Sequence, residues 1–120
     1  MPMKVYTYAK CSTCRDAVKW LRQHKVEFNE VPIKETPPSK AELKAAAQAL
    51  GSLKRVFNTS GLEYRRLKLA ERWDHLSEDE ALRLLGENGM LVKRPFLIGE
   101  GAILTGFDPA VWATTLRVNP

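Results

Sequence analysis

The 120-residue chain predicts an α/β fold: a four-stranded mixed sheet flanked by helices, with an all-helical insertion between its two halves. Three observations lead there. The N-terminal third reads strand, helix, strand within some thirty residues, a βαβ unit that implies parallel strands and a right-handed crossover. Residues 36 to 90 carry helix signals and no convincing strand. The C-terminal part reads as two short apolar strands around a glycine turn and a closing helix. The order is β-α-β, helical block, β-β-α, with one domain spanning 1–120 and a helix expected on each side of the sheet.

Each element has a local reason. "MKVYTY" (3 to 8) is dense in Val, Tyr and Thr and reads as a strand buried on both faces. A helix follows from about Ser12 to His24, with Ala17, Val18 and Leu21 on one face. "VEFNEVPI" (26 to 33) is a second strand, and Pro32, which cannot donate to a ladder, should end it or lie near an edge. Ser39 with Glu42 makes a capping box for a helix whose apolar stripe is Leu43, Ala46, Ala47 and Leu50, stopped by Gly51. "VFNTSGLEY" is a turn-rich joint. A second capping box, Ser77 with Glu80, opens a helix to about Glu87 that Asn88-Gly89 should stop. "FLIGEGAILT" (96 to 105) reads as a hairpin, and Asp108 caps a last helix with Pro109 in its first turn.

Composition narrows the class of function. Hydrophobic content of 44% and charged content of 28% are those of a globular domain, not a disordered tail. No stretch approaches the roughly 20 apolar residues of a membrane span, and "MPMKVYTYAK" lacks the features of a secretion signal, so the cytoplasm is expected. The net charge of +5 invites a nucleic-acid reading, but the basic residues look dispersed. They concentrate in "YRRLKLAER" (64 to 72), where a solvated Arg-rich face explains them better than a nucleic-acid footprint.

The two cysteines, Cys11 and Cys14, sit where the first strand gives way to the first helix. In a reducing compartment such a pair points to redox or metal chemistry rather than a structural staple. Unpaired N–H groups and the helix dipole favour a thiolate on the first sulfur, and Lys10 and Arg15 add positive potential. Cys11 is therefore the expected low-pKa nucleophile and Cys14 the resolving thiol. Zinc is disfavoured: His24 and His75 complete a Cys₂His₂ count, but they lie 51 positions apart instead of forming a close pair. His24 is better placed to meet the last carbonyls of its helix. A phosphatase-type anion loop is excluded because it needs Arg six positions after the nucleophile, where Ala17 stands.

"KRPF" (93 to 96) is the second informative motif. An X-Pro bond before a strand tolerates the cis form, and the loop entering the third strand comes up beside the start of the first helix. Pro95 would then pack against the cysteine pair, and Arg94 would bring a guanidinium to the thiolate or to an anionic adduct.

Taken together, "CSTCR", the helical insert, "FNTSG", "VKRPF" and "LTGF" resemble the ArsC/Spx family of thioredoxin-fold proteins, from Lys4 to about Leu116. The resemblance implies a thioredoxin-like fold, a cis-proline at Pro95 and Cys11 as the reactive thiol. In the family's glutaredoxin-linked arsenate reductases one cysteine occupies this loop and three arginines hold the oxyanion. One matches Arg94. The others fall near Asn58 and Gly106, so recognition of a doubly charged arsenate should be weakened, with Arg55, Arg65 or Arg66 as candidate replacements. The cysteine pair and "FNTSG" bring the chain nearest the Spx/MgsR- and YffB-like branch of thiol-disulfide regulators and thiol reductases. The expectation is a cytoplasmic, monomeric thiol-disulfide redox protein that uses Cys11 and Cys14, with Arg94, Lys10 and Arg15 binding the substrate's anionic groups. Glutathione, glutaredoxin or thioredoxin would be its reductant. The competing expectation is a redox-switched transcription regulator that binds RNA polymerase. No bound cofactor, metal, membrane contact or direct nucleic-acid contact is expected.

Overall fold

The computed structural model describes residues 2–119. It contains two compact units: the residues up to Pro32 together with those from Arg94 onward, and the segment Ile33–Lys93.

The first unit is built on a four-stranded sheet in the order β2-β1-β3-β4. Strand β1 (Lys4–Thr7) pairs in parallel with β2 (Asn29–Pro32) and antiparallel with β3 (Phe96–Gly99), which pairs antiparallel with β4 (Ala102–Thr105). Helix α1 (Ser12–Gln23) makes the crossover between β1 and β2. It ends with Lys25 in the left-handed region at φ 56° and the Val26 N–H bonded to the Leu21 carbonyl at 3.0 Å. That six-to-one bond is a Schellman stop with lysine in the usual glycine place. The exit consumes residues 26 to 28, so β2 is shorter than the 26 to 33 predicted. It ends at Pro32 on the sheet edge, and its side chains are mostly exposed. The β3–β4 turn, Glu100-Gly101, has φ of 52° and 79°, the positive pair that a two-residue hairpin turn requires.

Helix α6 (Pro109–Leu116) is capped by the Asp108 carboxylate, which accepts from the Ala110 N–H at 3.1 Å. Its Trp112 shares one buried cluster with Ala17 and Leu21 of α1 and with Val5, Leu97 and Leu104 of the sheet. The Trp20 and Trp112 rings meet edge to face at 6.3 Å. The two helices of this unit therefore cover the same sheet face, not one face each as the element order suggested. Tyr6 and Phe96, alternating with Val5 and Leu97, place their rings on the opposite face, 5.7 Å apart.

The second unit is helical. Helix α2 (Lys40–Leu50) opens with the Ser39–Glu42 capping box, and Gly51 stops it at φ 85°. A 3₁₀ turn (Leu53–Val56), α3 (Leu62–Arg66), α4 (Leu69–Arg72) and another 3₁₀ turn (Trp73–His75) follow. Helix α5 (Glu78–Glu87) opens with the Ser77–Glu80 box. No strand forms here among the described residues, and an isolated bridge pairs Phe57 with Val92. Glu63 of α3 accepts from Arg66 at 2.9 and 3.0 Å and from the Asn88 side chain at 2.8 Å. Those donors, Arg66 first, pull its carboxyl down to about 2.

Helix α5 ends at Glu87 with Asn88 as its C-cap, where the Asn88-Gly89 pair predicts the stop. Asn88 is extended at φ −140°, and Gly89 begins a 3₁₀ turn (Gly89–Leu91). The glycine is there for space, because a Cβ would drive into the backbone carbonyl of Ile33. Gly86, in the exposed last turn of α5, has nothing within 4 Å of a Cβ. Two alanine substitutions three residues apart should thus act in opposite senses. Gly89→Ala should destabilise by about 1–3 kcal/mol through overpacking against backbone. Gly86→Ala should stabilise by about 0.5–1 kcal/mol through helix propensity. Urea midpoints compared at constant m decide both.

Candidate active site

Strand β1 delivers the chain into a tight turn, with the Cys11 N–H bonded to the Tyr8 carbonyl at 2.9 Å. Cys11 is then the N-cap of α1, with extended backbone at φ −96°, ψ 112°. Its sulfur takes the place of a capping oxygen and accepts from the Cys14 N–H at 3.4 Å. The Cys11 carbonyl accepts the first helical bond, from the Arg15 N–H at 3.2 Å. Arg15 fixes the turn a second way, its guanidinium donating to the Ala9 carbonyl at 2.8 Å. Lys10 is exposed in the same turn.

The two thiols, both free, have different surroundings: Cys11 is half-exposed, and Cys14 is buried at 1%. Burial is the main reason that the Cys14 thiol is pushed up to about 12. The Tyr8 backbone N–H pulls it back down, the Cys14 S–H bond to the Cys11 sulfur and the Cys11 charge raise it, and the Arg94 charge lowers it.

Arg94 reaches this place through the sheet register. Lys4, Val5 and Tyr6 face Ile98, Leu97 and Phe96, so the residues after Tyr6 run opposite those before Phe96. Two places further along the same register, Tyr8 meets Arg94, whose guanidinium lies over the Tyr8 ring at 5.3 Å. The Arg94–Pro95 peptide bond is cis, and the Pro95 carbonyl accepts from the Gly106 N–H at 3.0 Å. The structure thus gathers Cys11, Cys14 and Arg94 and adds Tyr8, while the Arg15 guanidinium is turned to the Ala9 carbonyl. The sequence carried no signal for Tyr8, because the pairing of Tyr6 with Phe96 that sets it against Arg94 joins residues some ninety positions apart.

The positions without arginine have other uses. Gly106 has φ 68° and its carbonyl accepts from the Trp112 indole at 3.1 Å, a backbone conformation that a side chain would strain. In the helical unit the Asn58 side-chain carbonyl accepts from the Ser60 hydroxyl at 3.5 Å. Arg55 there donates to the Leu50 carbonyl and Arg66 to Glu63. His24 Nδ1 lies 2.9 Å from the Trp20 carbonyl, which can only accept, and caps the helix that way. No group of three or more potential metal ligands occurs among the described residues. No described helix is long and apolar enough to cross a membrane.

Fold and site together define a thioredoxin-like protein with a paired-cysteine loop at the first helix. The chain belongs to the ArsC family, whose model matches residues 6–115. It is 51% identical to the uncharacterized protein YusI of Bacillus subtilis, over 89% of this chain and 92% of that protein. It is 30% identical to the global transcriptional regulator Spx of Enterococcus faecalis, over 88% of this chain and 80% of the regulator. Among solved structures, that of "a possible arsenate reductase" from Streptococcus mutans matches with a TM-score of 0.80 and 41% identity, covering 88% and 90% of the two chains.

The thiol environments give two expected outcomes. N-ethylmaleimide at pH 8 should label Cys11 in the native protein and reach Cys14 only after unfolding, as peptide mass spectrometry would show. The second concerns alkaline stability. A thiol held up near 12 when folded stabilises the fold fully below its unfolded value of 9.0, and that contribution is lost as pH rises through about 12. Cys14→Ser should therefore flatten the fall in stability between those limits. An unchanged alkaline limb would show that Cys14 ionises freely in the fold.

Proposed function

We propose that this protein is a thiol-disulfide oxidoreductase in which Cys11 is the nucleophile and Cys14 the resolving thiol. One observation carries the reading: a half-exposed sulfur at a helix N-cap, with a buried, protonated thiol three residues further on. Two donors, the Cys14 N–H and the Cys14 S–H, point at the sulfur that must hold negative charge before attack.

The steps balance as follows. The Cys11 thiolate attacks one sulfur of a substrate disulfide, forms a mixed disulfide and expels the other sulfur as a thiolate that takes a proton from solvent. The Cys11 charge and its hydrogen bond, two of the influences holding the Cys14 proton, vanish in that adduct. Cys14 then ionises more readily, aided by the Arg94 charge and the Tyr8 N–H, and attacks Cys11. The substrate leaves as a reduced thiol and Cys11–Cys14 is the oxidised product. Two electrons have passed to the substrate, and glutathione, glutaredoxin or thioredoxin restores them. A single well-placed guanidinium suits a glutathione or protein disulfide better than a dianionic oxyanion. The reducing cytoplasm suits this cycle.

A second reading has its own support in the 30% identity with Spx over most of both chains. In it the same disulfide is a switch, and RNA polymerase is the partner. Affinity capture with the oxidised and the reduced protein separates the two readings: recovery of polymerase subunits by one redox form favours the switch.

The enzymatic reading is tested by reduction of a glutathionylated peptide and of arsenate, with each donor in turn. Cys11→Ser should abolish turnover. Cys14→Ser should stop after one half-reaction, with a Cys11 mixed disulfide visible by mass. Arg94→Ala should raise the pH at which the mixed disulfide resolves, so that this adduct accumulates at neutral pH. Equal turnover by wild type and Cys14→Ser would remove Cys14 from the mechanism.

A further inference from the structure

The positive charge of this chain has one address. From residue 10 to residue 25, five cations (Lys10, Arg15, Lys19, Arg22 and Lys25) face one acid (Asp16), a net +4 out of the chain's +5. Residues 26 to 93 hold eleven Lys or Arg against eleven Asp or Glu and are neutral. The run at 64 to 72, where the sequence appeared most basic, belongs to that neutral stretch, with Glu63 and Glu71 against its arginines.

All five cations of the first segment are exposed. Arg15, Lys19 and Arg22 follow at spacings of four and three, which puts them on one flank of α1 over a rise of roughly 10 Å. Arg22 is offset by Glu30 at 3.8 Å and shares a hollow with Glu27 and Glu100, so among the described residues the cations of the flank without such an offset are Arg15 and Lys19 at its Cys11 end. The flank starts at the turn that holds the half-exposed Cys11 sulfur.

We propose that this flank docks an acidic polypeptide segment next to the disulfide that Cys11 attacks. The proposal rests on the thiol-disulfide reading above and names its substrate class: disulfides borne by acidic peptide stretches. Nucleic acid would meet the same charge but brings no disulfide to the sulfur. Cationic steering of this kind accelerates encounter by about 10 to 10³ and fades with ionic strength. The screening length is about 10 Å at 0.1 M salt, so Lys19 acts on carboxylates beside it more than on the disulfide itself.

The experiment compares two peptides with the same central disulfide, one flanked by glutamates and one by lysines, with neutral hydroxyethyl disulfide as a third substrate. At low salt the acidic peptide should be reduced about ten-fold faster than the basic one, the gap closing by 0.5 M salt. Lys19→Glu should narrow the gap several-fold and leave the hydroxyethyl disulfide rate unchanged. Lys44→Glu, the same charge change on exposed α2, should leave the gap intact. Equal rates for the two peptides at low salt, with hydroxyethyl disulfide reduced normally, would overturn the docking flank and leave the thiol chemistry standing. A Lys44→Glu effect as large as that of Lys19→Glu would overturn it too, since net charge and not a surface would be responsible. Failure to reduce any of the three disulfides would remove the thiol reading and this proposal with it.

Discussion

The antiparallel register between β1 and β3 is the constraint on which the site depends. Tyr6 faces Phe96, so the end of β1 and the entry to β3 are neighbours although some ninety residues separate them in the chain. Both thiols and the cis-proline lie in the few residues past that pairing. On one side the chain turns through Tyr8 into the Cys11 cap; on the other, Arg94 and Pro95 enter the sheet. A one-residue slip would move every side chain of β3 to the other face, burying Ile98 where Leu97 now packs and carrying Arg94 off the Tyr8 ring. The fully buried Val5, Leu97 and Phe96 specify the register through the core, and the site inherits it.

Given the register, the contrast between the two thiols follows from helix geometry. The cap position faces outward, and the third residue of the helix turns inward onto the sheet with Ala17, Val18 and Leu21. The same spacing that brings the sulfurs together thus gives one access to solvent and the other burial. The Cys14 environment is correspondingly mixed: desolvation holds its proton, while Arg94 and the Tyr8 N–H oppose that hold. Burial is the largest influence in that balance, and the neighbouring Cys11 charge is one of the smaller ones.

What the sequence made legible was local. Both capping boxes, the Gly51 stop and the Asp108 cap are written in adjacent residues, and each forms as read; the hairpin turn expected around Gly99-Glu100-Gly101 narrows to Glu100-Gly101 because Gly99 stays in β3, paired with Ala102. The cysteine pair was legible for the same reason. Three features were not, and each depends on distant partners. The shared sheet face of α1 and α6 is decided by which way each strand's pleat turns Val5, Leu97 and Leu104, which element order does not encode. The stop at Asn88-Gly89 forms as read, but the second constraint on Gly89, the Ile33 carbonyl, lies over fifty residues away and left no local sign. Tyr8 looked like the end of a strand until the register set Arg94 against it. The concentration of charge on α1 was hidden for a different reason: counting bases without their neighbouring acids favoured the run at 64 to 72.

Both readings of function pass through one physical step, and it occurs at the cap of α1. In the reduced protein the Cys11 sulfur accepts the Cys14 N–H, one of the four donors that a helix start leaves unsatisfied. Joining that sulfur to Cys14 would alter the cap contact, while the Arg15 N–H bond to the Cys11 carbonyl remains. Arg15, anchored to the Ala9 carbonyl, spans the same turn and limits how far it can move. A reductase needs this change to be small, so that the disulfide forms and opens without reorganising the loop. A switch needs it to be large enough for a partner to sense. The double tether of the turn, through Cys11 N–H to Tyr8 and through Arg15 to Ala9, favours the small change, and with it the catalytic reading.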